Sequence, residues 1–260
     1  MGASHVPASW RSVLTSEASA AMRLPTAARR WAWPCVLARA VLQMVDLSAD
    51  ALSAAANELG ADRRPHVRGV ALDVSDEGAV NSAMAQLAAE WAPPRVLLNN
   101  AGILSNNKSS ATSVDEFERV MRVNLTGSFL MAKAVLPGMR AAKWGRIINT
   151  SSLAGKNGGL TAGTAYSVSK GAMNTLTWSL ANESAKDGVT VNAIAPAYVR
   201  TPMIMEQLTE AQRQETLKKI PVGRFCEPEE FAHAVMFLAS KLSGFITGEV
   251  LDMNGGLLVD

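Results

Sequence analysis

The chain has no glycine between Gly2 and Gly60, although it holds 19 glycines in 260 residues. Its opening segment therefore lacks the residue that tight left-handed turns and close backbone approaches to a phosphate normally require. Cysteine is scarce too. Cys35 and Cys226 alone exclude a disulfide framework and point to a reducing compartment. His5, His66 and His233 have no ligand spacing, which speaks against a His/Cys metal centre. No unbroken apolar run approaches the roughly 20 residues of a membrane span. The nearest, Trp31 to Val45, is interrupted by Pro34, Arg39 and Gln43. A net charge of +2 carries no message about nucleic acid. At 48% hydrophobic residues, disorder over most of the length is excluded.

The first 45 residues set Arg11, Arg23, Arg29, Arg30 and Arg39 against the single acid Glu17. That is the composition of a mitochondrial transit peptide, set against the expectation of a cytoplasmic protein with an unusual N-terminus. From Val45 onward short β-rich runs alternate with longer amphipathic stretches. Strands are expected at Val41–Asp46, Val67–Val74, Arg95–Asn99, Arg146–Thr150, Val189–Ala193 and Val250–Met253. Helices are expected at about Ser48 to Leu59, Asp76–Trp91, Gly163–Lys186, near Thr209, and from Pro228 through Phe231–Ala239. Ser113 with Glu116 forms a capping box for a further helix running towards Leu136. Alternating β and α units with apolar strands predict an α/β fold, a doubly wound parallel sheet of Rossmann type covered by helices on both faces. No repeat or linker divides residues 1–260, so one domain is expected, with residues up to about 40 atypical. In such sheets the ligand lies outside the carboxyl ends of the strands.

The sharpest local signal is Tyr166-Ser-Val-Ser-Lys170. Positions i and i+4 share a helix face, so the hydroxyl and the ammonium can converge. A neighbouring positive charge favours phenolate and would make Tyr166 a general acid/base; chance alone can also produce this spacing. Ser151-Ser152 follows the strand ending at Thr150, where a hydroxyl could meet a substrate carbonyl or merely shape a turn. Asn99-Asn100-Ala101-Gly102 permits close approach of the backbone to a flat ligand, or forms an ordinary tight turn. Asn124, inside an apolar helix, either faces solvent or has a buried partner.

These motifs resemble the short-chain dehydrogenase/reductase family, particularly members like 3-oxoacyl-carrier-protein reductases and related secondary-alcohol dehydrogenases. The matching text is Leu72-Asp73-Val74, Asn99–Gly102, Val123-Asn124-Leu125, Ser151-Ser152, Tyr166-x-x-x-Lys170, Asn192–Pro196, Thr201, and Thr247-Gly248 through Gly255-Gly256. It runs in the family's order from Asp46 to the C-terminus, roughly four-fifths of the chain. The resemblance implies that Tyr166 exchanges the proton with the reacting oxygen and that Ser152 hydrogen-bonds that oxygen. It implies that Lys170 tunes Tyr166 and holds the nicotinamide ribose, and that Asn124 holds a water behind Lys170. Asp73 and Val74 would frame the adenine; Asn100, Ala101 and Gly102 would shape the cofactor floor; Pro196, Val199 and Thr201 would contact the nicotinamide end. Asp46, ending the second strand with no Arg or Lys close behind it, would accept from the adenosine ribose and repel a 2′-phosphate. That favours NAD over NADP, unless Asp46 is only a turn or cap residue. Leu153, Leu160, Tyr198, Met203, Ile204 and Met205 point to an apolar or acyl-bearing alcohol or ketone, or to plain packing. The resemblance further implies a homotetramer or homodimer.

The family's Thr-Gly-x-x-x-Gly-x-Gly turn should precede Asp46, and it is missing. If Val13-Leu14-Thr15-Ser16 is the first strand and turn, Ser16, Ala20 and Met22 stand at the glycine positions. One hypothesis is that residues from about 15 to 40 are an out-of-frame or otherwise altered version of a glycine-rich unit, motivated by the abrupt change of text near Val41. A DNA read without compensating frame changes would sink it. The competing reading is a genuine segment in a protein that binds dinucleotide weakly or not at all. Three functions are thus carried: an NAD-dependent oxidoreductase of secondary alcohols and ketones, a catalytically impaired binding or assembly protein, and an NADP-dependent 3-oxoacyl thioester reductase.

Overall fold

A computed structural model describes residues 19–22, 41–58, 67–159, 161–201, 204–205 and 208–259. Its strands are β1 (Ser19–Met22), β2 (Val41–Asp46), β3 (Val67–Ala71), β4 (Val96–Asn99), β5 (Gly145–Thr150), β6 (Val189–Pro196) and β7 (Val250–Met253). They form one sheet in the order β3-β2-β1-β4-β5-β6-β7, with every neighbouring pair parallel. The strand order reverses between β1 and β4, which is the switch point where a doubly wound sheet opens a crevice. The helices are α1 (Ala49–Glu58), α2 (Glu77–Glu90), α3 (Val114–Met121), α4 (Gly127–Ala141), α5 (Ala154–Asn157), α6 (Thr164–Ser184), α7 (Glu210–Lys219) and α8 (Pro228–Ala239).

Side chains alternate across each strand and build a core on either face. Val45, Leu97 and Ile147 join Leu87 of α2, Met131 and Met139 of α4 and Leu180 of α6. On the other face Met44, Leu98, Ile148 and Ile194 meet Leu52 of α1 and Val235 and Leu238 of α8. Burial on both faces explains the near-continuous apolar text of the central strands.

The helix starts follow from local chemistry. The Asp76 carboxylate accepts the Ala79 N–H at 3.0 Å ahead of α2. Thr209 and Gln212 close a reciprocal box at the start of α7, and Pro228 occupies the first turn of α8.

Four expectations are corrected. Among the described residues the first strand is Ser19–Met22, so Ala20 and Met22 lie on a strand; the strand expected at Val13–Ser16, like the rest of residues 1–18 and 23–40, lies outside the described residues. β3 ends at Ala71, because the Asp73 carboxylate takes the Ser75 N–H and folds the chain. β6 continues beyond Ala193 to Pro196. The helix expected from Ser113 towards Leu136 is interrupted by a π-helical turn at Arg122–Thr126 and then runs on to Ala141. The wider turn directs Asn124 inward, where it is fully buried.

Candidate active site

β5 delivers two serines to the carboxyl edge of the sheet, and they face different ways. The Ser151 hydroxyl donates to Asn174 Oδ1 at 2.5 Å and sits 3.2 Å from the Lys170 carbonyl, which makes it a tie to α6. The Ser152 hydroxyl accepts the Ala154 N–H at 3.1 Å and lies near enough to the Tyr166 phenol to act on its protonation. Gly155 lets this loop rest on α6, since a Cβ there would lie 2.6 Å from the Lys170 carbonyl carbon.

One turn along α6 the Lys170 ammonium lies 5.6 Å from the Tyr166 ring centre and donates to the Thr150 carbonyl at 2.6 Å. Burial pulls the lysine down to about 8. Burial also raises the Tyr166 phenol, and the Ser152 hydroxyl works the other way. Desolvation of the phenol thus outweighs the lowering expected from Lys170, whose own charge is weakened by the same burial.

Asn124 has buried partners rather than solvent. Its Oδ1 accepts the Ile103 N–H at 2.8 Å, while Nδ2 donates to the Ile103 carbonyl and to Ser169 Oγ, both at 3.0 Å. Ser169 Oγ in turn donates to the Tyr166 carbonyl at 2.7 Å. A Cβ at Gly102 would stand 3.3 Å from Asn124 Oδ1 and 3.7 Å from Lys170 Nζ, so the glycine keeps the floor between them open. Behind it Asn99 donates to Asn149 at 2.9 Å, and Asn149 to Thr177 Oγ1 at 2.9 Å, a buried ladder pinning β4 and β5 to α6.

The crevice at the strand ends is lined by Val45, Val74, Asn99, Asn100, Ala101 and Gly127. Asn100 accepts from the Thr150 hydroxyl at 2.9 Å. Asp46 ends β2 beside this crevice, and its carboxylate accepts the Ser48 N–H at 3.0 Å, so it has a turn role. Asp73 Oδ1 accepts from both N–H and hydroxyl of Ser75. Pro196 is buried at the end of β6, and its carbonyl accepts the Leu153 N–H at 2.9 Å. Val199 bridges to Cys226, and the Thr201 N–H donates to the Val199 carbonyl at 2.7 Å. Tyr198 shares a 3.0 Å hydrogen bond with Thr161. Ile204 and Met205 follow on the same loop, whereas Leu160 and Met203 lie outside the described residues. The small floor, the apolar slot and an acid at the end of β2 fit a dinucleotide at this edge.

A family model described as enoyl-(acyl carrier protein) reductase matches residues 28–258. The chain belongs to the short-chain dehydrogenase/reductase family. It is an oxidoreductase of the class acting on CH–OH groups with NAD or NADP. The match begins beyond β1, in keeping with the unfamiliar opening text. The chain is 40% identical to the 3-oxoacyl-[acyl-carrier-protein] reductase FabG of Vibrio cholerae over 191 residues, 73% of this chain and 77% of that one. It is 38% identical to the acetoacetyl-CoA reductase of Rhizobium meliloti, covering 82% and 90% of the two chains. It is also 37% identical to a protein named inactive 2-(S)-hydroxypropyl-CoM dehydrogenase 2 of Xanthobacter autotrophicus, covering 85% and 96%. A 3-oxoacyl-[acyl-carrier protein] reductase of Brucella melitensis with bound NAD superposes with a TM-score of 0.84 at 29% identity, over 100% of this chain and 99% of that one.

Sequence reading placed Ser152, Tyr166, Lys170 and Asn124 at one edge but missed Ser169 and the Thr150 carbonyl. Ser169 had a signal, one residue before Lys170 in the Tyr-x-x-x-Lys stretch; a main-chain acceptor has none.

Proposed function

We propose that this protein interconverts a secondary alcohol and a ketone with NAD(H), using Tyr166 as the proton-exchanging group. The observation that carries this reading is the Lys170 ammonium, 5.6 Å from the Tyr166 ring centre and bonded to the Thr150 carbonyl at the strand end that delivers Ser152. When bound, the nicotinamide dinucleotide supplies or takes up the hydride. Tyr166 gives its proton to the carbonyl oxygen as negative charge builds there, or takes it back from the alcohol. Ser152 donates a hydrogen bond to the same oxygen and acts where the charge develops. Lys170 keeps positive charge behind the phenol and would hold the nicotinamide ribose. Asn124, its amide committed to Ile103 and Ser169, fixes the floor beside Lys170. Val74, Asn100, Ala101 and Gly102 would carry the adenine and ribose side, and Pro196, Val199 and Thr201 the nicotinamide end. Asp46 supports NAD over NADP.

A second reading, reduction of a 3-oxoacyl thioester with NADPH, is favoured by the relatives named as 3-oxoacyl and acetoacetyl reductases. Leu153 and the loop carrying Tyr198, Ile204 and Met205 suit an acyl-bearing substrate in either case. We read the chain as one domain that assembles through α4 and α6, whose Phe129, Val168 and Trp178 are large apolar side chains left exposed. Among the described residues no helix is long and apolar enough to cross a membrane.

The test follows nicotinamide absorbance with an acetoacetyl thioester and with simple secondary alcohols, each with NADH and NADPH. Turnover that Tyr166→Phe abolishes supports the reading. Turnover that survives Tyr166→Phe, or none with an intact bound dinucleotide, overturns it.

A further inference from the structure

The helix that carries Tyr166 begins without a side-chain cap. Its cap residue is Gly163, and its first turn holds no acidic side chain. The first N–H groups of a helix need acceptors, and here they come from another segment. The Gly163 N–H donates to the Ser105 carbonyl at 2.8 Å, and the Thr164 N–H to the Asn107 carbonyl at 3.0 Å. The seat is so close that a Cβ on Gly163 would lie 2.6 Å from both carbonyl oxygens. Tyr166 follows Gly163 by three residues, so its hydroxyl moves with whatever holds this first turn.

The segment from Ser105 to Lys108 belongs to the irregular stretch between β4 and α3, and it is clamped from two sides. Glu116 stands in the first turn of α3, three residues beyond Ser113. Ser113 accepts the Glu116 N–H at 3.1 Å, as a capping box requires, but the Glu116 carboxylate is not used for the return bond. It accepts from Ser105 Oγ at 2.5 Å and from Asn107 Nδ2 at 2.8 Å. Those are the side chains of the two residues whose carbonyls cap α6. From the other side the Lys108 ammonium reaches over to the Gly159 carbonyl at 2.7 Å and the Ala162 carbonyl at 2.6 Å, immediately ahead of Gly163. Thr112 Oγ1 closes the stretch on the Asn107 and Lys108 carbonyls, each at 3.0 Å.

We propose that Glu116 and Lys108 are positioning residues for Tyr166, acting through the 105–108 segment that caps its helix. Neither touches the reacting atoms; Glu116 fixes the acceptors of the first turn, and Lys108 ties the incoming chain to them. A hydroxyl displaced by about 1 Å can lose on the order of 10²-fold in rate, so the clamp acts on turnover more than on dinucleotide binding. The proposal rests on the reading of Tyr166 as the proton-exchanging group.

The experiment compares Glu116→Ala, Glu116→Gln and Lys108→Met with the parent in two readouts: steady-state kinetics, and hydrogen exchange of the amides of residues 163–167. Expected for Glu116→Ala and Lys108→Met are faster exchange in that turn, a kcat lower by about 10- to 100-fold, and KM for the dinucleotide within about twofold. Glu116→Gln restores most of kcat, because its oxygen accepts from Ser105 while Asn107, turned over, accepts from its nitrogen. Lys108→Met leaves α3 intact and serves if Glu116→Ala does not fold. Unchanged exchange in the first turn, or faster exchange with kcat undiminished, overturns the proposal. If the parent turns over no ketone, exchange alone decides: acceleration in the variants keeps the clamp and removes only the chemistry assigned to Tyr166.

Discussion

The Lys170 ammonium donates to the Thr150 carbonyl at 2.6 Å, joining the helix of Tyr166 to the strand end that delivers Ser152. This bond places a cation beside the phenol in a pocket so dry that the lysine titrates near 8.

Stability should therefore depend on pH through Lys170. Below about 8 the side chain is charged in both folded and unfolded chains, and the folded one bears the cost of burying it. Between about 8 and its ordinary value of 10.5 only the unfolded chain binds the proton, so stability rises with pH across that window. The Tyr166 phenol, raised from 10.0, acts in the opposite sense but only above that value. In urea unfolding, the parent should gain on Lys170→Met between neutral pH and about pH 9.5. A flat difference would contradict the buried-lysine assignment.

Tyr166→Phe should lower kcat by about 10²- to 10⁴-fold, the usual worth of a positioned proton donor. Dinucleotide affinity by calorimetry should stay within severalfold, because the ring and its packing survive. A comparable loss of affinity would make the residue a binding element instead.

Asp46→Ala should narrow the preference for NADH over NADPH by tenfold or more, since a carboxylate facing a 2′-phosphate costs on the order of several kcal/mol. An unchanged ratio of dissociation constants would show that Asp46 serves only its turn with Ser48.

Gln43 on β2 is fully buried, and among the described residues neither polar atom of its amide has a hydrogen-bond partner. Gln43→Met keeps the volume and removes an unpaired amide, so it should stabilise the fold by about 1–3 kcal/mol. Thermal unfolding of the two proteins decides; a destabilised variant would mean that the amide is bound.

How much of this was legible depended on where the determining force lay. β5 was readable because Ile147 and Ile148 face two different cores, and such burial writes a continuous apolar run. The site edge was readable because Ser152, Tyr166 and Lys170 follow from one strand end and one helix period. The capping box at Ser113 was half right: spacing identifies Glu116, but its carboxylate goes to Ser105 and Asn107, a tertiary choice that local text does not carry. The π turn around Asn124 was hidden for the same reason, since the amide's main-chain partner, Ile103, is far away in sequence. Ser19–Met22 was not read as a strand because nothing in its text distinguishes it from its surroundings.

The central claim is that this chain holds a nicotinamide dinucleotide at the edge formed by Asp46, Val74 and Asn100 despite its glycine-free opening. The most direct test is a calorimetric titration of the purified protein, its intact mass verified, with NADH and separately with NADPH. The account predicts micromolar NADH binding and much weaker NADPH binding. No heat with either would contradict it and leave the oxidoreductase machinery as inherited architecture without a cofactor.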